Sequence, residues 1–238
     1  MRKLWIVVCV LSVGTARAQQ KNPPPTRPSG YAIAKIDAAT APASLKLFDA
    51  MDAAISRLST TAGLSDTAVA LVANIRKKTN WLRGRWQNAP TDPLAFRQSF
   101  AYDVAVARAA ADDRNADRAL HVLSAINDDI VEKADHCAKS ASGMATPVRV
   151  SIRTVADGKE SSNWQVFYLP KIMEFAAAGS SAAMQFKVFS SPAIDDLAPG
   201  RYVVWAKRPG ASGAESEHTT IRVGGGATEL KQDIAVPK

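Results

Sequence analysis

The apolar spacing of this chain changes once, and abruptly. Between Ser44 and Ser140 large apolar residues recur every three or four positions, and after Pro147 they alternate with polar ones. The first rhythm suits the buried face of a helix, the second the buried face of a strand. No single segment satisfies both. The spacing therefore predicts a multidomain α plus β chain, helical over 44–143 and stranded over 147–237.

Four stripes separate within the helical region. Leu45, Phe48, Met51, Ile55 and Leu58 follow a Ser44 cap, and the pattern stops near 60–63. A second stripe starts at Ser65 or Asp66, carries Val69, Val72, Ile75 and Leu82, and ends before Asn88-Ala89-Pro90. Asp92-Pro93 supplies a cap and a first-turn proline for Phe96, Phe100, Val104 and Ala107. After a polar break at 112–115, Leu120, Leu123, Ile126 or Asn127, Ile130, Ala134 and Cys137 mark the fourth, closed by Ser142-Gly143. Short connections leave four stripes to bury against one another, which predicts an up-and-down four-helix bundle.

Alternation begins with Val148, Val150 and Ile152 and returns over 164–169, 184–189, 201–207, 218–223 and 229–236. Six or seven short strands separated by Gly, Pro and Ser clusters predict an antiparallel Greek-key β-sandwich. The segment 170–182 is long for a turn and leaves the strand topology around it open.

Arg2 and Lys3 precede an apolar run over 4–13, and Ala16-Arg17-Ala18 follows it. That order predicts a signal peptide over 1–18, since about 10 apolar residues fall short of the roughly 20 that span a bilayer. Cys9 lies within the run rather than at a lipoprotein cleavage position. The expected product is secreted or periplasmic, soluble after cleavage near Ala18, with no transmembrane span. Residues 19–43 read as a linker, opening with the proline-rich QQKNPPPTRPSG. Loss of Arg2, Lys3 and Arg17 from 30 basic residues leaves 27 against 22 acidic ones, a net charge of about +5. Such a balance favours acidic surfaces. Cys137 becomes the only thiol, so no internal disulfide can form, and the thiol is either buried or available for an intermolecular bridge.

The stretch 148–154 (VRVSIRT), the Asp157-Gly158 turn, 197–205 (LAPGRYVVW) and 233–237 (DIAVP) together resemble a carboxypeptidase-regulatory-like, or prealbumin-like (transthyretin-like), β-sandwich. In that family a Pro-Gly-x-Tyr corner feeds a core strand. The resemblance covers 147–237 and none of the helical region. It implies an accessory, usually non-catalytic domain attached to other exported domains. The hydroxyisourate hydrolases of the same fold end in Tyr-Arg-Gly-Ser and use histidines with an arginine. This chain ends in Ala-Val-Pro-Lys and has only His218 in the region, so neither a catalytic residue nor hormone transport carries over.

Catalysis has little else to draw on, because no Gly-x-Ser-x-Gly elbow, His-Glu-x-x-His helix or phosphate loop is present. Gly224-Gly225-Gly226 precedes a strand rather than a helix and reads as a hairpin turn. The acids Asp128, Asp129, Glu132 and Asp135 with His136 form the sharpest metal candidate, Glu132 and His136 sharing a face at i, i+4. The competing reading is a solvated face beside the apolar stripe. On the second helix Arg76, Lys77, Lys78, Arg83 and Arg85 are interleaved with Trp81 and Trp86, a combination suited to polyanions or a lipid interface. Alternatively those bases pair with Asp112, Asp113, Asp117 and Asp128 while the tryptophans pack inside.

Along the strand 201–207, alternation sets Tyr202, Val204 and Ala206 on one side, Arg201, Val203, Trp205 and Lys207 on the other. Trp205 then needs cover, from the helical region or from a partner, and Trp164 or Phe167 is placed to join it. The reading that follows is an exported, non-enzymatic binding protein without cofactor. Its partner is an unidentified protein, a glycan or an anionic envelope surface, and not nucleic acid. A metal-binding or enzymatic bundle is one alternative, and a carbohydrate-binding module using exposed Trp164 and Trp205 is another.

Overall fold

The computed structural model describes residues 30–89, 91–177, 187–190, 192–210 and 214–237. The signal segment 1–18, the linker up to residue 29 and the start of the strand expected over 184–189 lie outside them. Four helices come first: α1 (Ser44–Leu58), α2 (Asp66–Trp86), α3 (Leu94–Asp113) and α4 (Ala116–Lys139). Strands β1 (Val148–Ala156), β2 (Lys159–Glu160) and β3 (Gln165–Pro170) lead to a 3-10 helix, Lys171–Phe175. Then follow β4 (Lys187–Ser190), β5 (Ala193–Leu197), β6 (Gly200–Lys207), β7 (Thr219–Val223) and β8 (Glu229–Ala235).

Local chemistry sets the helix ends. Ser65 caps α2 by accepting from the Ala68 amide at 3.3 Å. Arg114 turns left-handed (φ 53°) after α3, and Asn115 then caps α4 by accepting from the Arg118 amide at 3.0 Å. Asp92 does not cap α3, whose N-cap is Pro93. Its carboxylate instead accepts from the Ser44 amide at 3.0 Å, from the Ser44 hydroxyl at 2.5 Å and from Trp86 Nε1 at 3.1 Å. One side chain thus ties the start of α1 to the end of α2.

Helix α1 packs on α2 and α3, and α4 packs on the same two. An up-and-down order would make α2 and α3 neighbours, yet the principal contacts leave them diagonal. Aromatic packing accounts for part of this. Phe48 of α1 lies 5.0 Å from Phe100 and 5.8 Å edge-on to Trp86, and Trp86 stacks on Phe96 at 4.3 Å. Aromatic rings at the ends of three helices thereby meet around Phe48.

The strands form two sheets. In one, β1 is flanked by β5 and β2, both antiparallel, and by β8. The other runs β4-β3-β6-β7, antiparallel throughout. The pairing of β1 with β8 is parallel, Arg149 opposite Glu229 through Val155 opposite Ala235, which departs from the purely antiparallel expectation. It follows from the Gly224-Gly225-Gly226 segment, which joins strands of different sheets and is not a hairpin turn. Val148, Val150, Ile152, Leu197 and Ile234 of the first sheet share one apolar cluster with Val166, Tyr168, Tyr202, Val204, Ile221 and Val223 of the second. The 3-10 helix inserts Ile172 and Met173 among the helical core residues. Its far end is clipped by Tyr31, whose amide donates to Phe175 O and whose carbonyl accepts from Ala177 N, both at 2.7 Å.

Cys137 is 1% exposed, and burial pushes its thiol up to about 12. Thiolate is the reactive form, so the native protein should resist alkylation at pH 8 and run as a monomer on non-reducing gels. Unfolding in guanidinium should release one fast-reacting thiol; rapid labelling of the native protein would contradict this placement.

Candidate functional site

Helix α4 presents to the strands a row of charged residues that a surface helix would leave in water. Asp129 is 7% exposed, Glu132 3%, His136 1% and Lys133 fully buried. The solvated-face reading is therefore wrong for Asp129 and Glu132, while Asp128 and Asp135 remain partly exposed. The buried row lies against the start of β6, the end of β7 and the glycine connection after it.

Lys133 is the centre of this seam. Its Nζ donates to Asp129 Oδ2, one turn back on α4, and to Asp103 Oδ2 of α3 at 3.1 Å. Burial alone raises the Asp103 carboxyl and lowers the Lys133 ammonium, and their mutual attraction offsets this only in part. The second Asp103 oxygen, Oδ1, is buried without a partner among the described residues. Asp129 Oδ1 accepts from the Arg201 amide at 2.8 Å, while the Arg201 guanidinium reaches Asp128 at 2.7 Å. Further along, Arg222 of β7 pairs with Glu132. The histidine completes the row. Its Nδ1 accepts from the Gly226 amide at 3.3 Å, which leaves the ring proton on Nε2, 3.4 Å from Thr146 Oγ1.

The Pro-Gly corner belongs to this seam. A Cβ on Gly200 would lie 2.5 Å from Asp129 Oδ1, so the glycine is needed for the carboxylate to reach the β6 backbone. At the same corner the chain passes from the β5 sheet to the β6 sheet. Tyr202, 4% exposed, donates its hydroxyl to Ala198 O at 2.9 Å and holds the corner closed.

The metal candidate is spent elsewhere: Asp129 on Lys133 and the Arg201 amide, Asp128 on Arg201, Glu132 on Arg222, and His136 on the Gly226 amide. Asp135 faces Lys78 of α2 at 3.9 Å. Among the described residues no group of three or more His, Cys, Asp or Glu side chains is placed to hold a metal ion.

The basic helix divides into two sets. Arg83 pairs with Asp49 at 2.6 Å, Arg76 with Asp52 at 3.9 Å and Lys78 with Asp135. Those acids come from α1 and α4 rather than from Asp112, Asp113, Asp117 and Asp128. Trp86 is internal, 5% exposed. Lys77, Trp81 and Arg85 remain as an exposed stripe at i, i+4, i+8, with the Arg85 guanidinium 5.0 Å above the Trp81 ring. Among the described residues neither Lys77 nor Arg85 has an ion pair.

On the strands, Trp164 and Trp205 do not form an exposed strip. Trp164 is 1% exposed, packs with Ala206 and Val236, and lies beneath the Arg208 guanidinium at 4.9 Å. Trp205 is 8% exposed and sits between Phe167 at 5.4 Å and His218 at 4.8 Å, both stacked on it. Pairing across the sheet sets Phe167 beside Trp205, so the sheet's own side chains supply ring cover for Trp205. Lys207 at the strand end is exposed. No protein-family model matches the chain, and no curated protein is significantly similar to it.

Two outcomes follow. Gly200→Ala should destabilise the protein by about 1–3 kcal/mol in urea unfolding, since the added methyl displaces the Asp129 carboxylate; an unchanged midpoint would refute the close approach. Burial lowers the His136 pKa, so the unfolded chain binds the proton more readily. Its contribution is present above the ordinary histidine pKa of about 6.5 and is lost as pH falls below it. The thermal midpoint should drop between pH 7.5 and 5.5, and His136→Gln should make that drop smaller. Equal drops in both proteins would remove His136 from the seam's pH response.

Proposed function

We propose that this chain is an exported, non-enzymatic binding protein. In it a four-helix bundle is fixed to a prealbumin-like β-sandwich with Greek-key connections, and the exposed stripe of α2 meets an anionic envelope surface. One observation carries the reading: of the basic residues on α2, Lys77 and Arg85 are left without acidic partners among the described residues and flank the 37% exposed Trp81. Cations attract the anionic surface and the indole suits the boundary between headgroup and hydrocarbon. No helix among the described residues is long and apolar enough to cross a membrane, so contact through this stripe would be peripheral.

The sandwich reading rests on the apolar cluster shared by the two sheets and on Tyr202 bonding back to Ala198 across the Pro-Gly corner. Export rests on the signal-like order of residues 1–18. The seam along α4 gives such a protein a rigid link between its two parts, with the stripe held on the helical side.

Each free cation near an anionic leaflet contributes about 1 kcal/mol, so binding should be weak and salt-sensitive. The mature protein should co-sediment with phosphatidylglycerol-containing vesicles at low ionic strength, and not with phosphatidylcholine vesicles. Lys77→Ala combined with Arg85→Ala should weaken it at least several-fold, and Trp81→Ala should reduce what remains. Binding that ignores these changes, or no binding at low salt, would sink the proposal.

A further inference from the structure

Lys133 differs from every other lysine that makes an ion pair among the described residues. Lys35, Lys78, Lys171 and Lys231 pair with acids while a third or more of each side chain stays in water. The side chains of Lys133 and Asp103 are fully buried, and that of Asp129 is nearly so. An amine and a carboxylate in water are held apart from condensation by hydration of both ions. Here that hydration is gone, and two buried ions at this spacing carry a desolvation cost that their attraction does not fully repay.

The arrangement around the pair is that of an acyl-transfer site. Asp129 and Lys133 are four residues apart on one helix, so their side chains meet on one face. Nζ lies against Asp129 Oδ2, while the other oxygen of that carboxyl, Oδ1, takes the Arg201 amide proton at 2.8 Å. A fixed backbone donor at that oxygen draws electrons from Cγ and stabilises the charge that nucleophilic attack would place there. Asp103 touches Nζ at 3.1 Å with Oδ2 and, among the described residues, keeps Oδ1 free of other partners, as suits a group that accepts a proton from the amine and passes it on. The fold holds the reactants together without a bimolecular encounter. Gly200 is what lets the Arg201 amide come this close.

We propose that Lys133 and Asp129 condense into an intramolecular isopeptide bond, with Asp103 as the proton-transferring residue and the Arg201 amide as the oxyanion donor. The Lys133 ammonium gives a proton to Asp103, and the freed Nζ electron pair attacks Cγ of Asp129. The Nζ–Cγ bond forms, and the tetrahedral centre collapses as its C–O bond to Oδ2 breaks. That oxygen departs as water, taking up the Asp103 proton and the remaining Nζ proton that the amide does not keep. An ammonium and a carboxylate become a neutral amide and one water, with no oxidant, reductant or cofactor. The product replaces a buried ion pair with an uncharged group and staples one turn of α4.

Intact-mass spectrometry of the purified protein tests this directly. The chain should be lighter than its sequence by one water, and tandem spectra of digests should place the loss as a link between Asp129 and Lys133, with trypsin failing to cut after Lys133. Hydroxylamine should leave the link intact, whereas it would open a cyclic imide at an aspartate. Lys133→Arg should restore the full mass. Asp103→Asn, checked for folding by circular dichroism, should show the full mass in most molecules. A wild-type protein of full mass overturns the bond, as does a water loss that maps elsewhere or yields to hydroxylamine. Unchanged loss in folded Asp103→Asn overturns the role given to Asp103.

Discussion

The ammonium that Lys133 must bury as the chain folds is the constraint around which the two parts of this protein are arranged. A charge cannot be left alone at a helix–sheet contact, because its desolvation exceeds what packing can return. Asp103 of α3 and Asp129 of α4 answer it, and so fix the two helices relative to each other. Asp129 in turn needs a donor for its second oxygen and finds it in the Arg201 amide at the start of β6. That donor stands where β6 begins, at the corner where the chain changes sheets, and Tyr202 locks the same corner from the core side. Arg222 and the Gly226 amide then repeat the pattern along α4, each meeting a side chain that would otherwise be buried without a partner, while the Arg201 guanidinium reaches the partly exposed Asp128.

Much of this architecture could be read from the residues before any coordinate. Periodicity located the four helices to within a few positions and most strands as well, because burial on one face leaves the 3.6 and 2.0 periods in the sequence. Tyr202 was legible as a core residue from its place in the corner motif. Other features were not. The helix neighbours depend on which aromatic rings meet, and spacing does not say that Phe48 lies between Phe100 and Trp86. The parallel β1–β8 pair depends on a connection between sheets that looks like any glycine turn.

The charged seam was the largest omission, and a signal for it existed. Asp103 falls in phase with Phe96, Phe100 and Ala107, and Lys133 in phase with Ile126, Ile130 and Cys137. A charge on an apolar stripe, matched by one of opposite sign on another stripe, points inward. For the acids from Asp128 to Asp135, neither their density nor the i, i+4 spacing of Glu132 and His136 distinguishes a wet face from one pressed against a sheet. On α2 the opposite happened: a run of bases looked uniform, while acids of α1 and α4 take Arg76, Lys78 and Arg83 and leave three exposed residues, Lys77, Trp81 and Arg85, in line.

The parallel pairing of β1 with β8 bears on how the chain carries load. Seven residues from Arg149 to Val155 face Glu229 to Ala235 in the same direction, so the helical part joins the ladder at one end and the C-terminal segment leaves it at the other. Tension between the helices and the C-terminus pulls the two strands along their length. The ladder is then sheared, with its hydrogen bonds strained together, where an antiparallel hairpin would open one bond at a time. Load applied between the helices and the last residues of β8 therefore runs along this ladder rather than across it.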